Sequence, residues 1–218
     1  MSLAWLMAAA SELAWWTRRE GGARAARRAA RALRVRLFHV GLYEVHAAST
    51  VDRRAPQDGP AALEVVILEG ATSRLPGGLF GPRTRARFAG RLQRGDVCLL
   101  GLLQGDLAHY TWLRVGRGGL VRVGHDEGYL FDSYTVNRHR GRGVHTAMVA
   151  HRLRYLGQRG CRRALVGVSV ANGPALHVLR RKLRFRRLGL VLSMSLLGRA
   201  VRLPLASGPL AGRIGEGF

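Results

Sequence analysis

The chain has 218 residues, of which 47% are apolar and 22% are charged. These values are typical of a globular protein that can bury a sizeable core, and they exclude wholesale disorder. The two cysteines, Cys98 and Cys161, are too few for a disulfide framework or a metal cluster, and we interpret them as free thiols in a reducing compartment.

The chain is strongly basic. Lysine and arginine together number 36 against 13 acidic residues, which gives a net charge of +23, and Lys182 is the only lysine. Such a surface favours polyanions, whether nucleic acid, anionic lipid or an acidic carrier protein. A genome biased toward arginine and alanine codons would give the same composition without any such partner, and composition leaves both explanations open.

Residues 1–38 are predicted to form a basic helical arm. An apolar first segment ends at Gly21, and residues 23–36 then alternate alanine and arginine at helical spacing. We interpret the arm as a solvated arginine face over an alanine seam. An arm that binds an anionic partner, a membrane surface or nucleic acid, is the less favoured alternative. The apolar start contains Glu12 and lacks a basic leader, and no run reaches the ~20 apolar residues of a membrane span, so a cytoplasmic protein is expected.

The next part of the chain is predicted to form four strands and one helix. The strand segments are rich in apolar, aromatic and β-branched residues, which favour extended structure. These strands are predicted at residues 38–46, 63–68, 97–103 and 107–113. The last two form a hairpin because the turn residues Gln104-Gly105-Asp106 join them. A polar loop is predicted at 51–60, a short basic helix at 83–93, and 120–121 could add a short strand.

A strand, a glycine turn and a helix start follow one another in the middle of the chain. Residues 129–136 predict the strand, and the helix is predicted to begin at Val144 and to stop at Gly160. The turn between them combines glycine with arginine, in Arg138, Arg140, Gly141, Arg142 and Gly143. Glycine lets the backbone approach a ligand, the first N–H groups of a helix carry partial positive charge, and guanidinium groups suit phosphate oxygens. The segment therefore predicts an anion-binding turn, although its spacing fits neither the dinucleotide fingerprint nor the P-loop.

The rest of the chain is predicted to complete the sheet. Residues 164–170 form a mostly apolar strand of the kind that is buried on both faces. Asn172 can cap a helix over 175–183, and residues 188–203 provide one or two closing strands. Residues 204–218 contain two prolines and four glycines and are predicted to be a loose tail.

The segment Arg140-Gly141-Arg142-Gly143-Val144-His145 resembles the acyl-CoA pyrophosphate loop of the GNAT superfamily of N-acetyltransferases, whose pattern is Gln/Arg-x-x-Gly-x-Gly/Ala. It departs from that pattern at His145, which stands where the family has a small residue. A register that starts at Arg138 fits fully but lies two residues early for a helix beginning near Val144. The order of elements strengthens the resemblance, which covers residues 40–203.

The resemblance implies an α+β fold. A GNAT-like mixed, mostly antiparallel twisted sheet of six to seven strands would be flanked by about four helices in an α/β three-layer arrangement, with the N-terminal helical arm outside it. Residues 39–203 would form the acyl-CoA-binding domain, between the basic arm (1–38) and the tail (204–218).

The resemblance also implies which residues hold acetyl-CoA. The backbone around Tyr134 and Val136 would bond the pantetheine arm, because a strand that splays from its neighbour leaves amide groups unpaired. Backbone N–H groups of the loop would hold the diphosphate, and Asn172 would reach the pantetheine arm. The residues assigned to the coenzyme are Tyr134, Val136, Arg140, Gly141, Arg142, Gly143, Val144, His145 and Asn172. No metal is expected.

The implied reaction is direct transfer of an acetyl group from acetyl-CoA to an amine of unknown type. A base must take a proton from the amine, and a backbone N–H must stabilise the thioester oxyanion. The candidate bases are Asp132, Glu127 and His109, with a salt bridge or a half-buried strand histidine as the structural alternative. Family members often place a tyrosine acid on the last helix, where this chain has Leu179. The alternative function is a GNAT-like module that binds CoA or a polyanion such as nucleic acid without turnover.

Overall fold

The computed structural model describes residues 38–51, 60–73, 75, 76, 78–196, 199–205 and 210, together with scattered positions between 14 and 27. Most of the predicted basic arm (1–38) lies outside the described residues. So do most of the loop predicted at 51–60 and nearly all of the tail predicted at 204–218.

An eight-stranded mixed sheet forms the centre of the fold. Its strands are β1 (Phe38–Ser49), β2 (Leu63–Leu68), β3 (Val97–Leu103), β4 (Asp106–Val115), β5 (Glu127–Thr135), β6 (Arg163–Ser169), β7 (Arg186–Leu196) and β8 (Arg199–Pro204). They lie in the order β2-β3-β4-β5-β6-β1-β7-β8, and β5 with β6 is the parallel pair in an otherwise antiparallel sheet. The sheet has more than the predicted six to seven strands, because the closing segment reverses and forms both β7 and β8.

Between residues 38 and 205 the described part of the chain contains three α-helices, where about four helices were predicted to flank the sheet. They are α1 (Pro82–Gln93), α2 (Val144–Gln158) and α3 (Gly173–His177), and a π-helical turn, Val178–Lys182, continues α3. The boundaries of α1 and α2 agree with the predicted ones to within a residue or two, whereas the short strand predicted at 120–121 is wrong, because these residues form a bend. Within this part of the chain, no helix has both the length and the apolar character of a membrane span.

The helices α1 and α2 cover opposite faces of the sheet. Phe88 of α1 packs against Tyr110 and Trp112 of β4, with its ring centroid 4.8 Å from that of Trp112. Met148 of α2 belongs to a separate apolar cluster that contains Leu113 of β4. Side chains of a strand alternate between its two faces, so a single strand supplies both clusters. Full burial of one such side chain stabilises the fold by about 1.5–3 kcal/mol.

A β-bulge interrupts the alternation in β5. Trp112 pairs with Phe131 and Tyr110 pairs with Tyr134, so that two residues of β5 lie opposite one residue of β4. Asp132 in the bulge has a left-handed backbone, with φ of 43°. The extra residue places Phe131 and Tyr134 on the same face, the α1 face, although they are three positions apart.

Candidate active site

Strands β5 and β6 begin as neighbours and then separate. Residues 127–130 of β5 pair with residues 163–166 of β6, and no later pair joins these two described strands. Strand β5 continues along β4 as far as Thr135, whereas β6 continues along β1 as far as Ser169. The cleft that opens between them has a volume of about 890 Å³ and is lined by residues of both strands, α2 and α3.

The backbone of both strands presents polar groups to the cleft. The N–H of Val136 donates to the carbonyl of Ala108 in β4, over 2.9 Å, and that of Val170 donates to Leu42 in β1, over 3.0 Å. Successive residues of a strand direct their N–H and C=O groups to opposite sides, so Thr135 and Ser169 direct theirs toward the gap.

This register corrects one sequence prediction. The backbone of Val136 is used within the sheet and does not line the cleft, and by alternation the backbone of Tyr134 also faces β4. Tyr134 remains a lining residue, and its ring lies 5.6 Å from that of Tyr110. The backbone groups offered to an extended ligand therefore belong to Thr135, one residue away from each predicted position.

The predicted anion-binding turn forms one end of the cleft. Gly141 and Gly143 both have φ of 76°, a left-handed conformation that glycine adopts without strain. Gly143 is the residue before the first turn of α2, which has no side-chain cap and no acidic residue. Val144, His145 and Thr146 line the cleft, so the N–H groups that a first helical turn leaves unbonded point toward it. The helix begins at Val144, as expected for the loop register that starts at Arg140.

The three arginines of the turn lie in different surroundings. Arg140 lines the cleft, where its Nε donates to the carbonyl of Thr135 over 3.2 Å and its guanidinium lies 5.8 Å from the centre of the Tyr134 ring. Arg142 and Arg138 line a neighbouring cavity of about 550 Å³ instead. Arg138 also forms an exposed ion pair with Asp106, at 2.7 Å. Arg140 is therefore the cation of the turn that belongs to the main cleft.

Asp132 is the one predicted base that lines the cleft. Its side chain is 29% exposed, and Oδ2 lies 2.5 Å from Nη1 of Arg91 in α1. The guanidinium of Arg91 lies over two aromatic rings, 5.1 Å from Trp112 and 5.2 Å from Phe131. The salt bridge expected as the structural alternative is therefore present, and it holds an accessible carboxylate at the bulge.

Glu127 and His109 lie away from the cleft lining. Glu127 is 1% exposed at the closed end of β5, where it pairs with Arg163 at 2.6 Å and accepts the N–H of Gly124 at 3.0 Å. His109 is fully buried, with Nδ1 2.8 Å from Oγ1 of Thr135. Burial, with the nearby His145 and Arg152, lowers the pKa of His109 well below its usual range. Both residues have the environment of structural groups.

A polar cluster, formed by His109, His145, Arg152, Ser133 and Thr111, lies on the α2 face of β4 and β5, and His109, Thr111 and Arg152 are its buried members. The ring of His145 lies 5.5 Å from that of His109, and burial together with Arg152 lowers the pKa of His145 to about 4. Arg152 is 2% exposed and its Nη1 donates to Oγ of Ser133 over 3.1 Å. Burial lowers the pKa of Arg152 to about 9, so it remains a cation at neutral pH.

Sequence reasoning missed Arg152, although a signal was present. Its position follows Met148 by four residues and precedes Tyr155 by three, so it falls within the buried stripe of α2. Charged side chains are rarely buried without a partner, so a single charged residue within a buried stripe indicates a binding site more strongly than a charged residue on a solvated face does. Only its position on the buried side of α2 distinguishes Arg152 from the other arginines of the sequence.

The remaining wall of the cleft comes from α3 and its π-helical extension. Asn172 lines the cleft and also caps α3, because its Oδ1 accepts the N–H of Ala175 over 3.3 Å. Leu179 lines the cleft with 3% of its surface exposed. Its position, where the GNAT resemblance would place a tyrosine acid, therefore carries no proton donor.

The open parallel pair and the glycine-lined helix start give the arrangement expected of an acyl-CoA-dependent transferase. Residues 83–185 match the family model of the acetyltransferase (GNAT) family. Residues 83–185 are therefore assigned to a GNAT acetyltransferase domain, and this match spans the hairpin, the cleft strands, α2 and α3.

Solved structures share this fold. An acetyltransferase of the GNAT family from Novosphingobium aromaticivorans is 15% identical and superposes with a TM-score of 0.51 over 72% of this chain and 64% of that one. A Drosophila protein is 13% identical, with a TM-score of 0.54 over 81% of this chain and 58% of that one. At these identities the likeness concerns the fold, and the matched part spans less than two thirds of either protein. No curated protein matches the sequence.

Proposed function

We propose that this protein transfers an acyl group, in the simplest case acetyl, from coenzyme A to the amino group of an acceptor. The match of residues 83–185 to the GNAT family model supports acyl transfer from an acyl-CoA. The observation in this chain that carries the proposal is the position of the α2 start, whose unbonded N–H groups open into the gap between β5 and β6.

The residues of the cleft fit the coenzyme. The first turn of α2 offers N–H groups and no acidic side chain to a diphosphate, and Arg140 adds a full positive charge beside it. An extended arm with two amides needs backbone partners, which Thr135 and Ser169 direct into the gap. Asn172 adds a polar side chain on the opposite wall.

The coenzyme would supply an activated acyl group in a thioester with a thiolate leaving group. The amine nitrogen forms a bond to the acyl carbon as the bond from that carbon to sulfur breaks. Asp132 is placed to accept the proton that the nitrogen loses, because its carboxylate is exposed to the cleft. A backbone N–H in the unpaired part of β5 stabilises the charge that develops on the acyl oxygen. Leu179 offers no proton, so the departing thiolate is protonated by water.

Two measurements test the proposal. Calorimetry should show that CoA and acetyl-CoA bind, and that both raise the melting temperature of the protein. Release of free thiol from acetyl-CoA should depend on the protein and on one member of a panel of small, peptide and sugar amines. Unchanged melting with both ligands would overturn the proposal, and binding without thiol release with any amine would support a non-catalytic CoA-binding module instead.

A further inference from the structure

Arg152 is a buried cation whose charge the described part of the chain leaves unneutralised. Its Nη1 donates to Oγ of Ser133, and its Nε has no hydrogen-bond partner. No carboxylate among the described residues lies within ion-pair distance of it. The two histidines whose pKa values Arg152 lowers, His109 and His145, carry no negative charge either. Burial of a charge costs several kcal/mol unless a partner offsets it, so the site calls for an anion.

The anion would reach Arg152 through the cleft. Arg152 and Ser133 both line the cleft, and Ser133 is exposed to it. The guanidinium is thus buried by the protein around it and still faces the space that the ligand would fill. A bound anion would complete a site that already has a fixed geometry, because Arg152 sits in the middle of the rigid helix α2.

The position of Arg152 along the cleft indicates the part of the ligand it meets. Arg152 lies eight residues after Val144, which places it about 12 Å along α2 from the diphosphate end. Its partner Ser133 lies between Thr135 and the vertex at Leu130, where β5 and β6 begin to separate. With the diphosphate at the start of α2, the thioester end of the coenzyme extends toward this vertex.

The position of Arg152 across the sheet separates it from the acceptor amine. Asp132, the proposed base, is held by Arg91 on the α1 face. Ser133 bonds to Thr111 at 2.6 Å and to Arg152 on the α2 face. An acceptor that gives its proton to Asp132 therefore approaches from the side opposite to Arg152.

We propose that Arg152 binds a carboxylate at the far end of the acyl chain, so that the protein's preferred donors are CoA half-thioesters of short dicarboxylic acids. This inference rests on the proposed function and specifies its acyl donor. The guanidinium would make paired, charge-assisted hydrogen bonds to the carboxylate, with Ser133 as an additional donor.

Calorimetric dissociation constants for three ligands test the inference without any measurement of turnover. The ligands are CoA, butyryl-CoA and succinyl-CoA, of which the last two have acyl chains of equal length. The wild-type protein should bind succinyl-CoA about 10- to 100-fold more tightly than butyryl-CoA, as expected for a hydrogen-bonded charge pair. Arg152→Met should abolish that preference and leave the affinity for CoA unchanged.

Two further variants make the result specific to this site. Arg140→Met should weaken all three ligands by the same factor, because Arg140 lies at the diphosphate end. Arg152→Lys should keep part of the preference, because it keeps a charge but not the paired geometry. Arg152→Met should still fold, since replacing a buried charge by an apolar side chain of similar size is often neutral or stabilising, and its melting temperature checks this.

The binding measurements separate the role of Arg152 from the proposed function. Equal binding of succinyl-CoA and butyryl-CoA by the wild type, with CoA still bound, overturns the assignment of Arg152 and leaves the proposed function intact. A preference that survives in Arg152→Met also overturns it, because the carboxylate would then be held elsewhere. If neither CoA nor either thioester binds, the proposed function fails together with this inference.

Discussion

Arg91 and Asp132 form an ion pair that joins α1 to the bulge of β5, with Nη1 of Arg91 2.5 Å from Oδ2 of Asp132. The cation is fixed by two aromatic rings, and the carboxylate lies at the cleft, so the pair presents a negative group in a defined position. The pair fixes the position of the carboxylate to which the proposed function assigns the proton of the incoming amine.

Asp132→Asn is expected to lower kcat by about 100-fold and to change the affinity for CoA little. Asparagine accepts a left-handed backbone about as well as aspartate, so the variant removes the charge at φ of 43° without new backbone strain. Steady-state kinetics and calorimetry separate the two effects. Asp106→Asn is the matched control, because Asp106 also pairs with an arginine but lies outside the main cleft. Full turnover in Asp132→Asn would remove Asp132 from the mechanism.

Gly143→Trp is expected to abolish measurable CoA binding, because a large side chain at the start of α2 would fill the diphosphate site. Gly160→Trp is its control: Gly160 follows the other end of α2, has nearly the same φ, 77° against 76°, and would place a side chain in open space. Backbone strain of about 1–2 kcal/mol is shared by both variants and should appear in both denaturation curves. Normal calorimetric affinity in Gly143→Trp would refute the placement of the diphosphate.

The stability of the protein is expected to fall in acid through His145. Its pKa is lowered from 6.5 to about 4 in the folded protein, so between these values the unfolded chain binds more protons than the folded one. The contribution of His145 to the free energy of unfolding is therefore complete above pH 6.5 and is lost as the pH falls toward 4. The loss is about 2 kcal/mol at pH 4.5. Urea denaturation of the wild type and His145→Gln at pH 7 and pH 4.5 measures it. The variant should lose less stability than the wild type, and His177→Gln, at an exposed position, should behave like the wild type.

Glu127→Gln is expected to destabilise the protein by about 1–3 kcal/mol and to leave kcat and CoA affinity unchanged. The carboxylate is buried at the closed end of β5, where it meets Arg163 and the N–H of Gly124. Glutamine keeps an acceptor for that N–H but leaves the charge of Arg163 unpaired. Thermal denaturation and kinetics of one preparation give both readouts. A loss of turnover without a loss of stability would return Glu127 to the list of bases.

The elements of the fold that depend on local pattern could be predicted from the sequence. The hairpin of β3 and β4 turns at Gln104 and Gly105, which both have positive φ, and this is the conformation that a tight hairpin turn needs. The start of α2 after Gly143 and its end before Gly160 follow from glycine chemistry in the same way.

Features that depend on tertiary pairing could not be predicted. The bulge at Asp132 arises from the register between β4 and β5, and the sequence of β5 contains no glycine there to announce it. The charged partner of Glu127, Arg163, and the partner of Arg152, Ser133, come from other elements of the chain. From the sequence alone, Glu127 could therefore be either a base or half of a salt bridge, and Arg152 could be either solvated or buried. The prediction that the backbone of Val136 binds pantetheine was wrong for the same reason, because the N–H of Val136 donates to the carbonyl of Ala108.

The parallel contact between β5 and β6 covers four residue pairs, and it is the seam between one half of the sheet, β2 to β5, and the other half, β6 to β8 with β1. Beyond those four pairs the two described halves share no strand pairing, and α2 packs against strands of both. A coenzyme bound in the cleft between β5 and β6 would contact both halves of the sheet. Amide hydrogen exchange should therefore slow in both strands together when it binds. The protection of the amides in both halves of the sheet would then increase in proportion to the occupancy of the coenzyme site.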